Sequence, residues 1–542
     1  MMPEADFIVV GSGATGSMAA QTLVDGGARV LMLDAGVVDD HYRRLVPSKS
    51  FVAIRRTDPD QFRYLLGENF EGAAYRKLGV GAQLTPPRRY IVERVDEFLK
   101  LQSDAFTPLE SLALGGLASG WGLMCALYSQ AELERASLPP VEMLDAYQVV
   151  ADRIGISGAA NDDARPFTYG GLARIQPPLP LDPTAAHLAA RYDRHRGALR
   201  SRGYSLGRPA LALLTQAKDG RSPTALQDME FYSDCGESAW RPRFVIEALR
   251  RRPNFAYVGD SLATRFEERD EGGVDVVVLD LNGGPERRYS CRRLVLACGA
   301  LGSARVVLRS IPGSGTRLPL LCNDYTYVPC IVPARIGRSM PERNHSLTQL
   351  AIFHDADGRQ RDVAVGTIFS YRALMLFRLL RQAPIGVRDA RILMQYLLSG
   401  FAIAGFDHPQ AYSEGKCVWL ESDPSSPTHD RLAIAYGLTA GERAGHAARE
   451  RGFVRALRTL GAWPVERIHP PLGSSIHYGG TLPFADQETA FTLSRDGRLH
   501  GTRAVFVADG SGFTFLPAKG VTFSLMANAH RVAKRLAETC VG

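Results

Sequence analysis

DFIVVGSGATGSMAAQTLVDGGARVLMLDAG, residues 6–36, reads as strand, tight turn, helix and second strand. The apolar run from Phe7 to Val10 suits a parallel strand buried on both faces. Gly11, Gly13 and Gly16 have the spacing G-x-G-x-x-G. Gly11 permits the turn, Gly13 lets backbone approach a pyrophosphate, and Gly16 lets helix pack on strand. Ala14 and Thr15 open the helix, where free N–H groups and the helix dipole favour an anion. The second strand ends in Asp34, 18 residues after Gly16, followed by Ala35. A carboxylate there accepts hydrogen bonds from ribose hydroxyls. A bare glycine motif is a weak signal. Strand before, helix after and acid at the next strand end together point to a dinucleotide site in an α/β, Rossmann-type domain.

The motif alone does not choose between NAD and FAD. Its place at the extreme N-terminus favours FAD. So does RRLVLACGALGSARVVLRS (292–310), which contains Ala297 and Gly299 and reads as strand, glycine turn and helix returning to the same domain.

A chain of 542 residues is too long for one core, so two or more domains are expected. With 45% apolar and 22% charged residues it has an ordinary globular composition. The 64 basic and 57 acidic side chains leave +7. The densest basic clusters, at 194–202 and 249–255, lack the interleaved aromatics of a nucleic-acid groove, so solvated helix faces are the expectation. None of the eight cysteines forms C-x-x-C. Reduced thiols, a cytoplasmic location and no metal site are expected. No signal peptide and no 18-residue apolar span is evident.

Four separated blocks resemble the glucose-methanol-choline family of flavoprotein oxidoreductases. The first is the glycine motif ending in Asp34-Ala35-Gly36, where the family usually has Glu. The second is LALGGLASGWGLM (112–124), with Gly115, Gly116, Ser119, Trp121 and Gly122, most similar to the pyranose-oxidase and sugar-dehydrogenase branch. The third is LACGALGSARVVL. The fourth is the C-terminus, where HYGGTLPF matches His-x-x-Gly-Thr and AVFVADGSGFTFLPAKGVTF carries the family's Asp-x-Ser as Asp509-Gly510-Ser511. The resemblance covers about a third of the chain and implies FAD. It also implies a role for His477 in SSIHYGGTLPF (474–484): taking the proton of a substrate hydroxyl while the adjacent C–H gives its hydride to the flavin. Histidine suits that work because its pKa lies near working pH. A small-molecule alcohol, sugar, glycoside or polyol, is the implied substrate.

The chain departs from the family in three places. Gly120 stands where some relatives link a histidine to the flavin, so FAD should be non-covalent. The second active-site side chain, normally Asn or His, falls on Gly520, with Lys519 beside it as a replacement or as a solvated lysine. Phe484 replaces the usual Met. The helix beginning near Val521 should still aim its positive end at the flavin, with Thr522 as a cap.

Residues 1–135, 236–318 and 466–542 are assigned to a discontinuous FAD-binding domain. Residues 136–235 and 319–465 are assigned to an inserted α+β substrate domain, an antiparallel sheet with helices. Its strands are expected in YTYVPCIVPARI, SLTQLAIFHD, DVAVGTIFSY and KCVWLES. The stretch 371–405 reads as two apolar helices flanking Pro384. Two readings stand for it: helices packed on the sheet, or a hairpin touching a membrane, a partner subunit or a lipophilic substrate. Two further alternatives remain for the whole chain, a lyase or decarboxylase on the same fold and a flavoprotein recruited through that hairpin.

Overall fold

A computed structural model describes residues 5–70, 84–313, 315–370, 386, 389 and 396–539. The first sheet is built outward from the opening motif. Strand β1 (Ala5–Val10) pairs in parallel with β2 (Val30–Leu33), and β2 with β3 (Phe255–Val258). The chain then runs antiparallel through β4 (Ser261–Glu268), β5 (Val274–Asp280) and β6 (Arg287–Leu296). The second half of β6 lies between β1 and Val505–Val507, parallel to both. Phe7, Ile8 and Val9 have no solvent exposure, as the central strand of a covered parallel sheet requires. Helix α1 (Ala14–Asp25) follows β1, α2 (Gly299–Ser310) follows β6, and α3 (Thr522–Glu538) packs against α1.

A second sheet is antiparallel throughout. It contains β7 (Asp324–Ile331), β8 (Leu350–His354), β9 (Ala364–Phe369) and β10 (Phe401–His408). Its order is Trp463–Pro464, β7, β10, β9, β8, then Tyr204–Gly207. Alternation along the strands divides its faces. Val328, Cys330, Ala404 and Phe406 pack on Leu188 and Tyr192 of Pro183–Arg200 and on Phe453 and Leu457 of Ala440–Thr459. Tyr325, Tyr327, Val365, Thr367 and Asp407 turn the other way, into a cavity shared with the first sheet.

Several sequence expectations are corrected. The helix Pro140–Ile154, assigned to the inserted part, buries Met143, Tyr147 and Val150 in the core of the first sheet and packs on α3. KCVWLES does form a strand, Cys417–Ser422, but it pairs with Leu318–Pro319 and Asp430–Ala435, away from the second sheet. Most of the 371–405 stretch lies outside the described residues. Its last part, from Phe401, is strand β10, because every residue there is buried between β7 and β9. No described helix is long and apolar enough to cross a membrane.

Candidate active site

The strands β1, β2 and β6 end side by side, with Val10 in register with both Leu33 and Leu296. Their carboxyl ends open a crevice, the place where open α/β sheets bind ligands. Gly11 turns the chain there with φ +96°, and a Cβ on it would meet Ala297 O at 2.8 Å. Gly16 sits so close to the turn that a Cβ would lie 1.8 Å from Gly11 O. Gly13 differs: nothing lies within 4 Å of where its Cβ would be. It precedes α1 and offers no side-chain cap, so the first N–H groups of α1 are free for an anion.

Asp34, at the end of β2, is buried. Its Oδ1 accepts from Ser12 N–H at 3.1 Å, and its Oδ2 accepts from Ser12 Oγ at 2.5 Å and from the Tyr257 hydroxyl at 3.0 Å. Burial nevertheless pushes its carboxyl up to about 6. The open space at Gly13, the uncapped helix and this carboxylate together fit a dinucleotide: pyrophosphate on α1, ribose hydroxyls on Asp34.

The crevice continues as a cavity of about 400 Å³. Of the residues the sequence placed at the cofactor, Gly11, Gly13, Ala14, Thr15, Asp34, Ala35, Gly116, Trp121, Gly122, Ala297, Gly299, Asp509, Gly510, Gly520, Val521 and Thr522 line it. Asp509 holds the start of α2 in place, accepting from Ser303 Oγ at 2.6 Å and from Ser511 N–H at 2.9 Å. The uncapped N-terminus of α3 points in through Val521, Thr522 and Leu525. Thr522 makes no capping hydrogen bond, which corrects the expectation of a cap.

Three other expected residues serve the scaffold and do not line the cavity. Gly16 packs on Gly11, Gly115 donates its N–H to Ser12 Oγ at 2.9 Å, and Ser119 Oγ donates to Leu114 O at 2.9 Å.

At the far end His477 lines the cavity, just after a strained residue: Ile476 has φ 59°, unusual for a β-branched side chain. The ribbon Leu321–Cys322 with Tyr478–Gly479, and a hydrogen bond from Asn323 N–H to His477 O at 3.3 Å, hold the backbone on either side. Gly479 and Gly480 do not face the cavity. A Cβ on them would meet Gly510 O at 3.0 Å and Leu321 Cγ at 2.7 Å, so they are there for backbone packing. Burial holds the His477 imidazole down to about 4, so it is neutral across the neutral range.

Lys519 is corrected on both counts. It is neither solvated nor at the cavity. Its ammonium donates to Glu132 Oε2 at 2.6 Å and to Leu127 O at 3.0 Å, in the interior. A glycine-flanked lysine gives no hint of such a partner 387 positions away. Gly520 does line the cavity, and a Cβ there would have only Met124 O, at 3.9 Å, for a neighbour. Phe484 lies in the core against Gly512 and does not reach the cavity.

Several cavity residues escaped the sequence reading, Asp407 among them. Asp407 of β10 brings a buried carboxyl to the same end, with Oδ1 at 3.7 Å from His477 Nδ1. Burial pushes it up to about 7. Its run, FAIAGFDH, reads as apolar strand with one acid at its edge, and only the alternation of the strand could have flagged it.

No family model matches the chain. Two curated proteins align with 98% of it and with 91% of their own lengths: a paromamine 6'-oxidase of Streptomyces fradiae, 24% identical, and a 6'''-hydroxyparomomycin C oxidase of Streptomyces lividus, 27% identical. The crystal structure of pyridoxine 4-oxidase from Mesorbium loti superposes with a TM-score of 0.59, covering 98% of this chain and 99% of that one at 17% identity. This neighbour shares the fold.

Proposed function

We propose that this chain, an oxidoreductase of the glucose-methanol-choline type, uses non-covalent FAD to oxidise a CH–OH group of a small sugar-like, glycosidic or polyol alcohol, with His477 as the base. The observation that carries this reading is a single cavity lined at one end by Gly11, Gly13 and Asp34 and at the other by His477.

The residues divide the work by position. Gly13 and the first turn of α1 would hold the pyrophosphate, and Asp34 the ribose. When bound, FAD supplies the hydride acceptor, chemistry that no side chain provides. The uncapped end of α3 presents partial positive charge to the cavity. His477, kept neutral by burial, has a free nitrogen lone pair to take the hydroxyl proton. Tyr325, Tyr327 and Thr367 line the wall on which a polar alcohol would rest. Gly120 lines the cavity and has no atom to form a covalent link; a Cβ there would already meet Ile91 Cδ1 at 2.9 Å.

The relatives' names supply the first compounds to try. Anaerobic mixing of the FAD-loaded protein with paromamine, pyridoxine and a panel of neutral sugars and polyols is expected to bleach the flavin with at least one of them. Acid precipitation is expected to release all the flavin into the supernatant. A panel that leaves the flavin fully oxidised would overturn the assigned reaction, and flavin retained by the precipitated chain would overturn the non-covalent assignment.

A further inference from the structure

We propose that Asp407 is the positioning partner of His477: its carboxyl group aligns the imidazole through Nδ1, so that Nε2 receives the substrate's hydroxyl proton beside a negative charge. The inference rests on the reading of His477 as base.

Among the described residues, Asp407 Oδ1 and His477 Nδ1 are two of the buried polar atoms that lack a hydrogen-bond partner, and both residues line this end of the cavity. They lie 3.7 Å from each other, and the Asp407 side chain is only 6% exposed. Leaving a buried polar atom unpaired is costly, so buried polar atoms are as a rule hydrogen-bonded. A shift of under about 1 Å would bring these two to hydrogen-bond distance. The two backbones are independently fixed. Asp407 sits in β10, in register with Tyr325 of β7, and His477 follows the strained Ile476 and leads into the Leu321–Gly479 ribbon.

Charge gives the pair its purpose. Burial disfavours an isolated imidazolium and an isolated carboxylate alike, and holds His477 low and Asp407 high. When the substrate O–H breaks and an Nε2–H bond forms, the proton already on Nδ1 stays there and the ring becomes positive. An adjacent carboxylate offsets that charge, so the proton is accepted at less cost. Among the described residues, the titratable groups near Asp407 include Tyr128, whose hydroxyl burial pushes well above the usual range, and Tyr325, which is hydrogen-bonded to Thr367 Oγ1 at 3.1 Å. Neither offers a charge that could replace the carboxylate.

The test compares FAD-loaded wild type, Asp407→Asn and Asp407→Leu. Flavin content reports folding and loading. Nitrogen-15 NMR of labelled histidines, with the signal assigned by its loss in His477→Ala, reports the tautomer without any substrate. The expected wild-type signal has the proton on Nδ1, and Asp407→Leu loses that preference. Rapid-mixing reduction by whichever of paromamine, pyridoxine or neutral sugars bleaches the wild-type flavin should slow about 10- to 100-fold in the limiting rate, less than the loss of the base itself. Half-saturation should change little, and the fall in rate below pH 7 should disappear in Asp407→Asn. A wild-type His477 protonated on Nε2, or a tautomer indifferent to Asp407→Leu, overturns the proposal. So does a variant that only weakens binding of aminated substrates at an unchanged limiting rate, which would make Asp407 a substrate anchor. If no alcohol reduces the flavin, the assigned reaction fails, and the NMR result still decides the pairing.

Discussion

Lys519 Nζ lies 2.6 Å from Glu132 Oε2, and the two side chains are only 1% and 0% exposed. Glu132 also accepts from Ser129 N–H at 2.8 Å and, through Oε1, from Val363 N–H at 3.0 Å. One carboxylate therefore ties the turn before α3 to two other segments. Removing one member of a buried ion pair leaves the other charge uncompensated, at about 3–5 kcal/mol. Lys519→Met is expected to lower stability by that amount in urea unfolding and to leave the flavin-reduction rate of its folded fraction unchanged. The double variant Lys519→Met/Glu132→Gln should recover part of the loss. A marked loss of reduction rate in a stable Lys519→Met would return the lysine to the active site.

The glycines of the opening motif should fail in different ways. Gly16→Ala places a Cβ 1.8 Å from Gly11 O, a backbone clash, so the variant is expected to lose stability with or without FAD. Gly13 has an ordinary φ of −60° and open space at its Cβ. Gly13→Val should therefore keep the unfolding midpoint of the apo-protein and lose FAD. Differential scanning calorimetry beside flavin content separates the two. Full flavin occupancy in Gly13→Val would show that the open space is not the pyrophosphate site.

His477→Ala is expected to bind FAD normally and to lose about 10²–10⁴ in the rate of anaerobic flavin reduction, the usual worth of a general base. Gly520 offers no second side chain nearby, so the larger end of that range is expected. Reoxidation of reduced flavin should change little. Wild-type reduction on the true substrate would leave His477 a structural histidine.

Asp34 is expected to make the proposed cofactor site pH-sensitive. Its folded-state value, about 6, lies above the ordinary 3.8, so the penalty for burying its charge is absent below pH about 3.8 and complete above about 6. Ribose hydroxyls donating to the ionised carboxylate offset that penalty, and hydrogen bonds to an ionised acceptor are the stronger ones. FAD affinity is therefore expected to rise several-fold between pH 5 and 7, as followed by quenching of FAD fluorescence. Asp34→Asn should flatten that profile and bind more weakly at pH 7. A wild-type affinity independent of pH would show that Asp34 does not carry the ribose contact.

The sequence by itself determined the strand–turn–helix unit at the core of the first sheet. Glycine spacing, an apolar strand and an acid at the next strand end are local, because consecutive residues build the turn and the uncapped helix mouth. His477 stood out for the same reason, through a short motif similar to one in a known family, and it lines the cavity. The tertiary structure alone decided where the side chains of Lys519 and Asp407 lie. Lys519 finds Glu132 across 387 positions, and Asp407 meets His477 only because β10 is buried between β7 and β9 with its residues alternating. A side chain's partner across a sheet depends on register and strand order, which are set by packing of the whole core. No short window of sequence contains that information.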